Sequence, residues 1–541
     1  MRRTLVATLV AAALALPLLP GPAATADPTT PDTTAGTAEP TDTQADEQAD
    51  GQARAALATV AGLLEGPADR SRSARAAAAP ADPTLAMRDL FVALPRLAGA
   101  DREHAEALLA RPTDGAGDRF GDGYDQPATA TCGTNVCIHH VPTGADAPPS
   151  AAWVGFVKDQ MNKVWKHEVT KMGYRRPLSD KAVGAPRNGG NGKFDVYLKD
   201  LGGRGLYGYC APEYRPRGRS WVAISYCVLD NDFATAQFGT APKPTLRATA
   251  AHEFFHAVQF AYDYGEDRWF MESTATWMEE RYADNVDDNR QYLPASQVQA
   301  PGLPLDMFST TGSTQYGNWV FWEYLSRNYG NGFVRDVWTT TAPRKGSNSY
   351  AIAAIKRLTQ RRGGFSQVYR NFAAANLFPQ RAYPEGKAWG TPGIAGKLRL
   401  SKKNKIEKVL VTLPHLSAMH VRVRPDKGLT SKRWRLQVKV DGPGRASSPS
   451  VVLSLKRRGG GVGRVVVPLG KKGGGKVLVP FSRKAVSSVT ATVVNASTRF
   501  ACYTRDQSAD PMFSCQGTPR DDDKIVTIKF WATKVKAKKR R

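Results

Sequence analysis

Five consecutive residues constrain this chain more than any other stretch: His252-Glu253-Phe254-Phe255-His256. Around them Ala248, Ala251, Phe255, Val258 and Tyr262 recur at helical spacing, Pro244 and Thr245 offer a start and Gly265 a stop, so the pattern predicts one buried helix. On such a helix two imidazoles four residues apart share a face and can bind one Zn²⁺ ion together, which leaves Glu253 to take a proton from an attacking water as general base. With 8 His in 541 residues, this pattern arises by accident in roughly 0.3% of chains of similar composition. Two surface histidines on an ordinary helix are the alternative. The neighbouring phenylalanines and alanines argue against it, because a buried imidazole without a partner is costly.

A catalytic zinc usually has three protein ligands and an open fourth position. No His follows between Ala257 and Phe270. A second helical pattern begins instead, with Trp269, Glu272, Ser273, Ala275, Trp277 and Glu279. The combination resembles the gluzincin metallopeptidases, in which a Glu on a following helix is the third ligand. Trp269, Glu272, Ala275 and Glu279 match the W-L-N-E-G-x-A pattern of aminopeptidase-like members and its second acidic residue, while Phe270, Met271 and Ser273 depart from it. The 15 residues between His256 and Glu272 make a somewhat shorter spacing than in the better-known branches. The runs at 194–198, 252–259 and 272–277 look like a family of secreted bacterial gluzincin-type metalloproteases, with similarity from about residue 85 to the C-terminus.

The resemblance implies a zincin-like fold and a zinc endopeptidase, with His252, His256 and Glu272 as ligands of one catalytic ion. Glu272 outranks Glu279, Glu280 and Asp263 as third ligand. Glu279 is read as a surface carboxylate, with orientation of a zinc-bound imidazole as the competing role. Gluzincins commonly stabilise the oxyanion with a Tyr or His downstream, which makes Tyr316 the candidate and an aromatic core position its alternative. The strand run at 221–229 is expected to border the cleft and pair with an extended peptide.

At 541 residues the chain is about twice the size at which a single core stops growing, so several domains are expected. Arg2 and Arg3 followed by the apolar run 5–19 and the small residues of Ala24-Thr25-Ala26 read as an export signal over 1–26, too short to span a bilayer. Residues 27–83 are rich in Ala, Thr, Asp, Pro and Gly and are expected to be a linker or propeptide. A short helical segment follows at 84–125, then a metallopeptidase domain at 126–398, opened by an amphipathic helix at 151–171. Six cysteines in an exported chain suggest three local disulfides, Cys132 with Cys137, Cys210 with Cys227 and Cys502 with Cys515. Beyond residue 399 apolar residues alternate, as in Trp434, Leu436, Val438 and Val440, between Gly-rich breaks, which predicts six to eight short strands in an antiparallel β-sandwich. The fold class expected is therefore an α+β zincin-like catalytic domain with a C-terminal all-β sandwich.

Charge is concentrated in that last domain. From Ser401 onward 32 Lys and Arg stand against 8 Asp and Glu, a surplus of 24 in a chain whose total is +26. Such a field attracts phosphate- or carboxylate-rich polymers, and for an exported protein anionic cell-wall or extracellular polymers are the available partners. Nucleic acid is disfavoured because no recognition helix, zinc finger or aromatic RNA-binding motif accompanies the charge. Asp230-Asn231-Asp232 offers a weak Ca²⁺ candidate, with an Asx turn the preferred reading. An extracellular polyanion- or cell-wall-binding protein with a structural or inactive metal site is the rival function.

Overall fold

The computed structural model describes residues 5–7, 42–65, 82–114, 123–184, 188–219, 221–343, 349–503 and 512–536. The expected signal cleavage site, most of the 27–83 linker and the cationic tail from 537 lie outside the described residues. The chain is an α+β protein with a β-rich C-terminal region, and its apolar core divides into a large cluster that runs from Ala53 to Trp389 and takes in Leu416, Ala418, Val494 and Ala496, and a second made of residues between Leu400 and Ala532.

Part of the expected linker is a helix, α1 (Asp42–Leu64). Ala53, Leu57, Val60 and Leu64 alternate at four and three residues and are buried, a stripe that the Ala- and Asp-rich composition around it conceals. It packs on α2 (Pro83–Ala93) and α3 (Gly99–Leu108), which fall in the short helical segment expected at 84–125. Asp82 caps α2 by accepting the Leu85 N–H at 2.9 Å. At the far end of this segment Arg111, 1% exposed, reaches Asp195 at 2.6 Å, Asp180 at 2.8 Å and Glu213 at 2.6 Å. A guanidinium so enclosed fixes the chain there to the main body.

That body is built on a five-stranded sheet in the order β2-β3-β4-β6-β5, formed by β2 (Thr129–Cys132), β3 (Val136–His140), β4 (Phe194–Lys199), β5 (Gly208–Tyr214) and β6 (Ile224–Asp230). β3, β4 and β6 run parallel, with β2 and β5 antiparallel at the two edges. The edge strand is therefore β5, not the 221–229 run, which is enclosed between β4 and β5. The Gly, Pro and Glu of Gly208–Tyr214 hide β5 from a hydrophobicity reading, as befits an edge. α4 (Ala151–Trp165), capped by Ser150, packs on β3 and on α5 (Pro242–Phe260), which lies against β5 and β6. α6 (Arg268–Ala283) packs along α5, and helices continue with α7 (Thr314–Gly317), α8 (Trp319–Tyr329), α9 (Gly332–Thr341), α10 (Ala351–Thr359) and α11 (Phe365–Asn376). No described helix is long and apolar enough to cross a membrane.

The C-terminal region forms two five-stranded sheets that share one core. One has the order β1-β8-β15-β10-β13, from β1 (Leu5–Ala7), β8 (Ile406–Leu413), β10 (Trp434–Asp441), β13 (Gly475–Pro480) and β15 (Lys524–Lys534). The other has the order β12-β11-β14-β9-β7, from β7 (Gly396–Leu400), β9 (Ser417–Pro425), β11 (Pro449–Arg457), β12 (Val462–Val466) and β14 (Val486–Asn495). Pairing is antiparallel except at two edges, where β1 joins β8 and β7 joins β9 in parallel. The sheets are thus mixed and hold more strands than the alternation predicts, because short edge strands such as Val462–Val466 bury little. All three expected disulfides are present. At Cys502–Cys515 the chain meets the main body, where the Cys515 N–H donates to Asp267 at 2.7 Å and Trp269 Nε1 to Ser514 at 3.1 Å.

Candidate metal centre

The packing of α6 along α5 decides the geometry of the site. His252, Glu253 and His256 project from α5, and Glu272, fully buried, projects from the first turns of α6. His252 Nε2 lies 3.3 Å from one Glu272 oxygen and His256 Nε2 lies 3.4 Å from the other. Both carboxylate oxygens are buried, and among the described residues neither has a hydrogen-bond partner in good geometry. Leaving a carboxylate in that state costs several kcal/mol unless a cation compensates it.

The opposite ring nitrogens are both held. His252 Nδ1 lies 2.7 Å from Glu279 Oε1, and His256 Nδ1 lies 2.8 Å from Gln259 Oε1. The Gln259 amide is itself oriented, since its nitrogen donates to the Met271 carbonyl at 2.9 Å and to Thr274 at 3.2 Å. Its oxygen must then accept from His256, which puts the proton on Nδ1 and leaves the Nε2 lone pair facing Glu272. Burial, and then the charge of His252, lowers the His256 pKa to about 3, keeping that ring neutral. Burial would lower His252 as well, but Glu272 and Glu279 outweigh it and push its pKa up. The acidic pair calls for a positive charge at this point.

His252, His256 and Glu272 are one of two groups of possible ligands among the described residues whose donor atoms all lie within 4.8 Å. Two nitrogens and one oxygen suit zinc, and ligands about 2.05 Å from a tetrahedral ion stand about 3.3 Å apart, close to the 3.3 and 3.4 Å that separate each imidazole from a Glu272 oxygen. The donor set and its orphaned oxygens fit the expected ion. The second group, Glu280, Asp284 and Glu385, has an exposed member, and Asn289 donates to Glu280 at 2.7 Å. Glu280 and Asp263 do not join the His pair, and Asp263 accepts the Gly265 N–H in a turn. Glu279 is not the surface carboxylate expected. It is 6% exposed and grips His252 from outside the ligand set, two helical turns beyond Glu272 on one face.

Glu253 and Tyr316 border the same place. Burial pushes the Glu253 carboxyl up to about 7 against the pull of His252, and the carboxylate accepts a hydrogen bond from Thr84 at 2.9 Å. β5 comes close beside it, since a Cβ at Gly208 would meet the Glu253 side chain at 3.2 Å and the Val228 carbonyl at 2.9 Å. The Tyr316 ring lies 6.1 Å from that of His252, stacks on Tyr292 at 4.9 Å and donates its hydroxyl to Asp82 at 3.0 Å. Gly317 permits this, because a Cβ there would lie 2.8 Å from the Tyr292 carbonyl. Burial, then Asp82 and Glu272, keep the Tyr316 hydroxyl protonated by raising its pKa. Asp82, Thr84, Gln259 and Tyr292 were not assigned a role by sequence reasoning. Only Gln259, one turn past His256, carried a positional signal.

Asp230, the Ca²⁺ candidate, is filled by backbone donors, accepting from Leu201, Gly202, Asp232 and Phe233 as an Asx turn does. No family model and no curated protein matches this chain, so its function has to be argued from the site.

Proposed function

We propose that the chain is a secreted zinc-dependent metallopeptidase of the gluzincin type. The observation that carries this reading is the pair of unbonded Glu272 oxygens set against two imidazole Nε2 atoms whose other nitrogens are both tied down. His252, His256 and Glu272 would hold the ion, with Glu279 and Gln259 orienting the rings. Zinc bound there supplies Lewis acidity toward a carbonyl oxygen and lowers the pKa of water toward neutrality. Glu253 takes the proton of the attacking water at its carboxylate and passes it to the leaving amine. Tyr316 offers its hydroxyl to the oxyanion that develops on the scissile carbonyl. The edge of β5 that is not paired with β6 is suited to hold an extended peptide by its main chain once the segment over it is displaced. Three disulfides support an oxidising, extracellular compartment. Glu253→Gln should keep zinc and lose about 10² to 10⁴ in peptide hydrolysis, read with a broad peptide library. A variant as fast as the parent would overturn the mechanism.

A second reading, binding to an anionic polymer, is favoured by one cleft. Arg399, Arg422, Arg424, Lys456, Arg458 and Arg483 line a cavity of about 460 Å³ beside α11, with no acidic residue among the described residues of its wall. Arg399 stands directly opposite Arg424 across β7 and β9, a like-charge pairing that destabilises a sheet unless an anion bridges it. Burial and then Arg424 push the Arg422 pKa down. Guanidinium groups so arranged suit phosphate or carboxylate polymers. The chain should bind a phosphate-bearing resin and leave it near 1 M salt, where the screening length is about 3 Å. Arg422→Glu with Arg424→Glu should elute at clearly lower salt, and unchanged elution would refute this site.

A further inference from the structure

The chain brings its own occupant to the proposed catalytic centre. Three groups that a peptide substrate would need are already engaged by two residues at the start of α2. Thr84 Oγ1 donates to the Glu253 carboxylate at 2.9 Å. The same oxygen accepts the Cys210 N–H at 2.9 Å. Cys210 sits opposite Cys227 in the β5–β6 pair, so an N–H satisfied by Thr84 is one that β5 turns toward its free edge. Asp82 Oδ2 accepts the Tyr316 hydroxyl at 3.0 Å.

Base, oxyanion donor and edge-strand donor are thus all closed by one turn of chain. The helix behind them is held in place. Leu85, Met87, Leu90 and Phe91 are buried in the main core, Arg88 donates to the Glu266 carbonyl at 3.0 Å, and Asp89 pairs with Arg268 at 2.6 Å. The anchor at Arg111 lies beyond this helix and depends on different partners, Asp180, Asp195 and Glu213. Residues from Arg111 onward can therefore stay fixed while α2 leaves.

Resting on the metallopeptidase reading, we propose that Asp82 and Thr84 are a built-in latch. In the full chain the site is latent, and a peptide reaches Glu253, Tyr316 and the edge of β5 only when the 82–93 segment has swung out or been cut away, with Arg111 remaining in the body. Swinging out breaks no covalent bond, only the hydrogen bonds, the ion pair and the apolar contacts that hold α2, whereas removal takes hydrolysis of a peptide bond by a protease.

The test compares the zinc-loaded full chain with Asp82→Asn, Thr84→Val and the double variant. Asn caps a helix as well as Asp, so the first change removes the carboxylate without removing the cap. Two readouts are taken, the rate at which dipicolinate extracts zinc and the rate of peptide hydrolysis. Loss of even one charge-assisted hydrogen bond should raise both by about tenfold in the double variant. Equal extraction rates, or hydrolysis equal to or below the parent's, would overturn the latch and leave Asp82 as a positioning residue for Tyr316. If the double variant does not fold, the parent decides. During limited proteolysis, hydrolysis should rise as cuts appear before residue 98, in a product that keeps Arg111. Full activity in uncut, zinc-loaded chain overturns the latch alone. Absence of zinc and of hydrolysis both before and after cutting overturns the metallopeptidase reading along with it.

Discussion

In the N-terminal body the carboxylates of Glu253, Glu266, Asp267, Glu272 and Glu279 are buried, whereas the core between the two C-terminal sheets is made of Leu, Val, Ile, Phe, Ala, Met and Trp. One group of cations of the C-terminal region lines the cleft around Arg399, Arg422 and Arg424, on the sheet that contains β7 and β9. Each arrangement is costly in its own way. Buried charge without a partner is tolerated where chemistry needs it, and crowded surface charge where a ligand of opposite sign is to be met. The apolar core needs neither, so it is the part of the molecule whose residues answer only to packing.

That contrast can be broken by substitution. Phe530→Ala removes a fully buried ring from the second core and should lower stability by about 3–5 kcal/mol in denaturant unfolding, with no change in zinc affinity. A fall in zinc affinity would mean that the two regions are not separable in this way.

Where the regions meet, His415 bridges them, 2.8 Å from Asp306 of the body and 2.6 Å from Asp522. Burial would lower its pKa, but Asp306 and Asp522 outweigh burial and push it up to about 9. The stabilisation is therefore complete below the ordinary His value of about 6.5 and drains away as pH rises through about 9, amounting to up to about 3 kcal/mol. Thermal unfolding followed from pH 6 to 10 should show this loss in the parent and a flatter profile in His415→Gln. Parallel profiles would remove His415 from the interface account.

The smallest effect belongs to the site itself. Glu279→Gln keeps the shape but loses the charge that holds His252, and should weaken zinc about 10- to 100-fold in a competition titration. An unchanged affinity would return Glu279 to the role of a bystander.

The site was more legible in the sequence than the fold around it. His252, Glu253 and His256 announce themselves because a helix of period 3.6 puts them on one face whatever surrounds it. Glu272 and Tyr316 needed the pattern of a known family, since their approach depends on how α6 and α7 pack. Glu279 was misjudged because nothing local to α6 says that two turns beyond a buried Glu is still beneath His252. Asp82 and Thr84 could not be found at all, as they reach Tyr316 and Glu253 across separations of 234 and 169 residues. α1 was lost in a low-complexity stretch whose four-residue rhythm is carried by only a few apolar side chains. β5 was lost because an edge strand with Gly and Pro lacks the alternation that identified β10 and β14.

The central claim is that His252, His256 and Glu272 hold one zinc ion, and metal analysis after exhaustive dialysis tests it most directly. The account predicts one tightly bound zinc per parent chain and loss of most of it in Glu272→Ala, with both proteins folded by circular dichroism. A folded parent that binds no zinc, or a Glu272→Ala variant that retains as much as the parent, would contradict it.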